Sequence, residues 1–177
     1  MRISGGSLGG RQVAVPQGAI RPAMDRMRES VFAVLGDLSG CSFLDMFSGS
    51  GIIALEAVSR GADPVEAVEQ DLVKRKTLLT NAAIAPVRIR CRFIAAELYV
   101  KRARQSFDII FCDPPFPYRF KWELAGAIAA SHLMREGSIL LIHRPREDPP
   151  NRPMVPLVLR ESKKYGRSVV DFFAYLP

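Results

Sequence analysis

Short apolar segments alternate with helical segments through the middle of this sequence, and the alternation limits the folds open to the chain. A strand-like run followed by a helical pattern occurs at residues 41–61, again at 64–83 and again at 107–133. Strands that alternate with helices form a parallel sheet, because each helix carries the chain back across one face of the sheet. The sequence therefore predicts an α/β fold with helices on both faces of a mostly parallel sheet.

The other segments extend this sheet. Arginines alternate with apolar residues at 87–93, which predicts an edge strand, because a central strand would be apolar on both faces. The continuous apolar run at 107–113 predicts a central strand, which would follow the edge strand without an intervening helix. A further strand is predicted at 137–143, and the chain closes with an antiparallel hairpin at 157–176.

The first residues differ in composition from the rest. Residues 1–20 are rich in glycine with short apolar alternation, which predicts a small hairpin or β arm. We therefore expect an arm at 1–20 and a single main domain at 21–177.

Charge and cysteine content restrict the partners. The net charge of +7 favours an anionic partner, nucleic acid first. Three scattered cysteines without a CxxC pair suit a reducing cytosol, so we expect a cytoplasmic protein. With only two histidines a metal site is not expected, and no apolar run has the roughly 18 residues of a membrane span.

The first chemical motif is the glycine-containing loop in "FLDMFSGSG". Gly49 and Gly51 allow the backbone to approach a ligand closely and turn into the following helix. Glu69 ends the next strand 20 residues after Gly49 and can accept hydrogen bonds from ribose hydroxyls. The loop also fits a dinucleotide fingerprint. Asp45 would repel a pyrophosphate, however, and favours a cationic ligand such as a sulfonium that carries an α-amino group.

The second motif is "DPPF" after the predicted central strand. The Asp113 carboxylate and the Pro114 carbonyl can hold an exocyclic amine, whose lone pair is otherwise delocalised into its ring. Pro114 and Pro115 fix the backbone and so preorganise these acceptors. Phe116 offers a face for a flipped-out base. Both motifs follow strands of one parallel sheet, at the carboxyl edge where such sheets bind ligands, which predicts one shared site.

Together these motifs resemble the class I S-adenosylmethionine-dependent methyltransferases that modify exocyclic amines. The segments "RPAMDRMRESVFAVL", "FLDMFSGSGIIALEAVSRGA" and "DIIFCDPPF" resemble the RsmD-type guanine-N2 methyltransferases of small-subunit ribosomal RNA. The resemblance runs from Met1 to about His143. It implies a Rossmann-like sheet of seven strands, S-adenosylmethionine as cofactor, and methyl transfer to guanine N2 in 16S ribosomal RNA.

The resemblance also implies roles for individual residues. Asp113, Pro114, Pro115 and Phe116 would form the catalytic motif. The residues expected to bind the cofactor are Asp45, Phe47, Ser48, Gly49, Gly51, Glu69 and Ala95. The residues expected to bind the substrate are Arg21, Arg26, Arg28 and Tyr118. The partner would be ribosomal RNA, free or in an assembling small subunit, and we expect a monomer without metal or membrane.

Two positions depart from the family pattern. Such enzymes often carry Asp or Asn where Ala95 stands, to bind the adenine amine, so the contact here would come from backbone or cofactor binding would be weaker. An acid often stands at the position of His143, which we expect to be a surface or rim histidine rather than a catalytic one.

Three other functions fit parts of the sequence. A DNA adenine-N6 or cytosine-N4 methyltransferase would use the same motifs, but 177 residues leave little room for a sequence-reading domain. Asp45 and "DPPF" argue against a NAD-dependent oxidoreductase. A non-enzymatic RNA-binding protein with a degenerate cofactor site is indicated by Ala95 alone.

Overall fold

The computed structural model describes residues 1–15, 22–150 and 153–177, which fold around one seven-stranded sheet. In chain order the strands are β1 (Phe43–Met46), β2 (Val65–Val68), β3 (Ile89–Arg92), β4 (Ile109–Cys112), β5 (Ile139–Pro145), β6 (Leu157–Tyr165) and β7 (Ser168–Tyr175). The α-helices are α1 (Pro22–Leu35), α2 (Ile52–Ser59), α3 (Arg75–Ala82), α4 (Ala96–Arg102) and α5 (Lys121–Ala129).

The strand order confirms the predicted fold class. Across the sheet the order is β3-β2-β1-β4-β5-β7-β6. The first five of these strands pair in parallel, whereas β7 pairs antiparallel with both β5 and β6. As predicted, β3 lies at an edge, β4 is central and the chain ends in an antiparallel hairpin. The order reverses between β1 and β4, and this switch point is where α/β sheets of this kind bind ligands.

One predicted connection is wrong. The sequence interpretation passed from β3 to β4 without a helix, but α4 (Ala96–Arg102) lies between them. Two parallel strands need a crossover connection, and α4 provides it. The helix is only seven residues long and has two buried residues, so its apolar periodicity is too short to stand out in the sequence.

The core forms two layers, one on each face of the sheet. Phe43 and Phe111 belong to the layer that contains α2, while their strand neighbours Leu44 and Ile110 belong to the layer that contains α5. Successive side chains of a strand point to opposite faces, so one buried strand contributes to both layers. Burying each such side chain stabilises the fold by about 1.5–3 kcal/mol.

The described part of the predicted arm folds back on itself and packs on the core. Arg2 and Gln12 form an antiparallel bridge, and Ile3 is buried within the α2 layer. Ser4 donates hydrogen bonds from its amide (2.7 Å) and hydroxyl (2.8 Å) to the Glu56 carboxylate on α2. Residues 16–20 lie outside the described residues, and the division into an arm and a main domain stays a prediction.

The described residues contain neither a candidate membrane span nor a candidate metal cluster. Over residues 1–15, 22–150 and 153–177, no helix is long and apolar enough to cross a bilayer. The same ranges contain no group of three or more His, Cys, Asp or Glu side chains able to hold a metal ion.

Candidate active site

Two loops begin side by side at the carboxyl edge of the sheet. The first follows β1 and starts at Phe47, and the second follows β4 and starts at Asp113. β1 and β4 are parallel neighbours in which Met46 lies opposite Cys112. The Asp113 amide donates to the Met46 carbonyl (3.2 Å), so the two loops diverge from a common point.

The first loop turns sharply through left-handed backbone conformations. Phe47, Gly49 and Gly51 have φ values of 63°, 57° and 82°. A Cβ at Gly51 would lie 2.6 Å from Leu78 Cδ1 on α3, so a larger residue there would have to displace Leu78 and adopt a left-handed backbone. A Cβ at Gly49 would approach the Phe47 carbonyl oxygen to 4.0 Å, which is an ordinary contact distance. Phe47 adopts a conformation that is uncommon for a non-glycine residue, which marks this loop as locally strained.

Glu69 ties the end of β2 to the first loop. One carboxylate oxygen accepts from the Gly49 amide (2.8 Å) and the other from the Asp71 amide (2.8 Å). Lys74 Nζ lies 3.7 Å from the same carboxylate. Each oxygen has two acceptor positions, so Glu69 keeps capacity for a ligand that donates hydrogen bonds.

Asp45 is a buried carboxylate with one oxygen free. Its side-chain Oδ2 accepts from the Ser48 hydroxyl (2.6 Å) and the Ala54 amide near the start of α2 (3.2 Å). Its Oδ1 is buried and has no partner within the described protein. Burial, together with the negative charges of Asp113 and Glu69, raises the pKa of Asp45 to about 7, although the hydrogen bonds from Ser48 and Ala54 act to lower it.

In the second loop, Asp113 is held by a residue of the neighbouring strand. Asp113 Oδ1 lies 2.7 Å from His143 Nδ1, and the Phe116 ring contacts the His143 ring edge-on at 5.5 Å between centroids. Pro114 is buried, while Pro115 is exposed. The side chain of Asp113 is 20% exposed, so it remains open to a ligand.

His143 was predicted at the surface or the rim, and the structure shows the rim position. The residue lies at the sheet rim, but it is only 3% exposed and is not a surface histidine. The contact between His143 and Asp113 follows from the pairing of β5 with β4. Ile142 lies opposite Cys112, so the next residues of the two strands, His143 and Asp113, are neighbours. The His143 ring Nε2 is buried, and no residue of the described ranges forms a hydrogen bond with it.

Both loops open into one cleft of about 930 Å³. The predicted residues in its wall are Phe47, Glu69, Asp113, Pro114, Pro115 and Phe116. Residues that the sequence interpretation did not assign to the site also line it, namely Met24, Gln70, Asp71, Lys74, Pro117, His143 and Tyr165–Ser168. Asp45 and Ser48 are buried and do not form part of the described wall.

Aromatic side chains continue from the cleft toward α5. The Tyr118 ring packs against Phe47 at 5.4 Å and against Phe120 at 6.1 Å between centroids. The Tyr118 hydroxyl donates to Glu97 Oε1 (2.5 Å), and burial together with this hydrogen bond raises the pKa of Tyr118. Ala95 directly precedes α4, and its methyl group offers no hydrogen bond to a ligand.

The arginines predicted to bind substrate have different placements. Arg21 lies outside the described residues, and Arg26 is exposed on α1. Arg28 is buried, which corrects its predicted role. Its guanidinium donates to Glu56 (2.7 Å), Asp25 (2.8 Å) and the Arg2 carbonyl (2.8 Å). The guanidinium is buried and directs its donors to these three protein partners, so it does not present a free charge to RNA.

Comparison with known proteins identifies the family. The family model described as "Conserved hypothetical protein 95" matches residues 1–174. The chain belongs to this family. The predicted resemblance to RsmD-type methyltransferases is thereby confirmed, since relatives that match this chain carry the name "Ribosomal RNA small subunit methyltransferase D".

Relatives of the family show how far the similarity extends. The chain is 27% identical over 180 residues to "Putative rRNA methyltransferase YlbH" of Bacillus subtilis, covering 98% of each chain. It is 34% identical over 119 residues to "Ribosomal RNA small subunit methyltransferase D" of Escherichia coli, covering 66% of this chain and 60% of that one. A solved structure, "Putative methyltransferase yhhF from Escherichia coli", matches with a TM-score of 0.88 and 27% identity over 99% of this chain and 97% of that one.

Proposed function

We propose that this protein transfers a methyl group from S-adenosylmethionine to the exocyclic N2 of a guanine in small-subunit ribosomal RNA. The observation that carries the proposal is the shared cleft, in which the Asp113 motif and the strained loop after β1 meet. The names of the family relatives support the ribosomal RNA substrate. The net charge of +7 supports binding to an RNA backbone.

The residues around the first loop fit the proposed cofactor. Asp45 Oδ1, which is buried and has no partner among the described residues, would accept a hydrogen bond from the cationic α-amino group of S-adenosylmethionine, directly or through water. Glu69 would accept from the ribose hydroxyls, and the open space beside Gly49 would admit the ligand against the backbone. When bound, the cofactor supplies an electrophilic sulfonium methyl group.

The second loop would hold the nucleophile. The Asp113 carboxylate and the Pro114 carbonyl would accept hydrogen bonds from the two N2 hydrogens and direct the nitrogen lone pair toward the methyl carbon. Held in this way, N2 would attack the methyl carbon as the carbon–sulfur bond broke with its electron pair left on sulfur, and N2 would then release one proton to solvent. Phe116 would stack on the base and fix its plane. This role is positional, since the amine proton becomes acidic only after methylation.

Radiolabelled methyl transfer tests the proposal. The purified protein is incubated with labelled S-adenosylmethionine and small-subunit RNA from cells that lack it, either free or in assembled subunits, and the nucleosides are then analysed by mass. We expect N2-methylguanosine from the wild type. Asp113→Ala should lose activity by about 100-fold or more, in the range found when one preorganised group is removed. It should bind S-adenosylhomocysteine as the wild type does.

Two results would overturn the proposal. Label recovered in N6-methyladenine or N4-methylcytosine would show another amino methyltransferase. Full activity in the Asp113→Ala variant would refute the assigned mechanism.

A further inference from the structure

We infer that His143 reads the target base, by positioning Asp113 through Nδ1 and offering Nε2 as a hydrogen-bond acceptor to guanine N1–H. The inference rests on the proposed function, because it names the base edge that the same cleft would recognise. It assigns a specificity-determining role to a residue that the sequence interpretation placed outside the chemistry.

The contact with Asp113 fixes which ring nitrogen carries the proton. A carboxylate only accepts hydrogen bonds, so the histidine nitrogen that lies 2.7 Å from Asp113 Oδ1 must be the donor. In the neutral ring, Nδ1 is then protonated and Nε2 carries a free lone pair. The second ring nitrogen is therefore an acceptor as a consequence of the first contact.

That acceptor is buried and lacks a partner within the described protein. His143 is 3% exposed, and its Nε2 is buried with no hydrogen bond from the protein. A buried polar atom without a partner costs free energy, about 1–3 kcal/mol, unless a ligand or water satisfies it. His143 lines the cleft next to Asp113 and Phe116, so a ligand there can supply the missing donor.

The geometry of guanine matches this pair of acceptors. Its N1–H and its N2 amine are neighbouring donors on one edge of the ring. Asp113 would accept from the amine, and the adjacent His143 Nε2 would accept from N1–H. Adenine presents a lone pair at N1, which would face the Nε2 lone pair and be repelled. The pair therefore distinguishes guanine from adenine, a distinction that an Asp-Pro-Pro-Phe motif alone does not make.

Two substitutions separate the functions of the two ring nitrogens. His143→Asn can keep a donor near the Nδ1 position and removes the acceptor at Nε2. His143→Gln can place its carbonyl oxygen near the Nε2 position and loses the donor to Asp113. Both are compared on ligated small-subunit RNA that carries either guanine or 2-aminopurine at the methylated position. 2-Aminopurine keeps the exocyclic amine but has a lone pair at N1.

The wild type should prefer guanine in kcat/KM on the order of 10-fold to 100-fold, the effect of one unsatisfied buried acceptor. His143→Asn should reduce this preference to near unity. His143→Gln should keep the preference while kcat falls, because Asp113 is no longer oriented. The inference would be overturned if His143→Asn kept the full preference for guanine, or if the wild type showed no preference. In either case, guanine methylation by the wild type would still support the proposed function. Failure of the wild type to methylate guanine would overturn both.

A second measurement observes the His143 ring directly and leaves His143 itself unchanged. The chain has two histidines, and His132 is exposed, so His132→Gln leaves one imidazole to observe by nitrogen NMR. We expect the His143 ring to be protonated at Nδ1 and bare at Nε2, and the Nε2 resonance to shift when guanosine monophosphate, but not adenosine monophosphate, is added. A ring protonated at Nε2 instead would contradict the inference.

Discussion

The buried carboxylate of Asp45 makes the stability of the ligand-free protein depend on pH. Burial raises its pKa from 3.8 to about 7. Between these values the unfolded chain has released the proton and the folded protein has kept it, so stability falls as pH rises and levels off above about pH 7. From pH 5 to pH 7 the loss amounts to about 2 kcal/mol, because the slope of 1.36 kcal/mol for each pH unit falls by half as the pH reaches the folded pKa.

Asp45→Asn should remove this dependence. The asparagine oxygen can still accept from Ser48 and Ala54, and its NH2 group takes the place of the free oxygen. An unpartnered NH2 costs about 1–3 kcal/mol, but that cost does not vary with pH. Relative to the wild type, the variant should therefore gain about 3 kcal/mol in unfolding free energy between pH 5 and pH 8. Urea unfolding followed by circular dichroism, at half-unit steps of pH, measures the difference.

A matched aspartate provides the control. Asp148 forms an ion pair with Lys121, which lowers the pKa of that carboxyl. It stays ionised in both folded and unfolded states from pH 5 to pH 8, so Asp148→Asn should destabilise by a constant amount. A constant difference for Asp45→Asn over the same range would refute the reasoning. Asp45→Asn should also bind S-adenosylhomocysteine on the order of 10-fold to 100-fold more weakly than the wild type, since a charge-assisted hydrogen bond is lost.

Three further outcomes are expected. Glu69→Gln should weaken S-adenosylhomocysteine binding, measured by calorimetry, by about 10-fold. The control Glu136→Gln changes an exposed residue and should leave the affinity unchanged. Equal affinities of the two variants would contradict a role of Glu69 in cofactor binding. Phe116→Ala should raise KM for RNA about 10-fold through lost stacking and leave cofactor affinity unchanged, so an unchanged KM would contradict its role. RNA affinity should fall about 100-fold between 50 and 200 mM salt if about five phosphates are contacted, and a salt-insensitive affinity would count against a backbone interface.

The sequence predicts those features that repeat locally along the chain. Apolar runs mark β4 as central, alternating arginines mark β3 as an edge, and glycines mark the loop after β1. The features that were missed depend on distant partners. Arg28 is buried because its guanidinium pairs with Glu56, which lies 28 residues further along the chain. His143 contacts Asp113 because β5 pairs with β4. Neither partner is visible in the local pattern around the residue itself.

The sheet order also determines when the cleft can form during synthesis. One part of its wall is the turn Tyr165–Ser168, and β7 enters the sheet between β5 and β6 after both have been made. A nascent chain that carries both motif loops therefore still lacks a wall of the cleft until about residue 168. Because these contacts join residues far apart in sequence, loop closure rather than local helix formation is expected to limit the rate at which the site is completed.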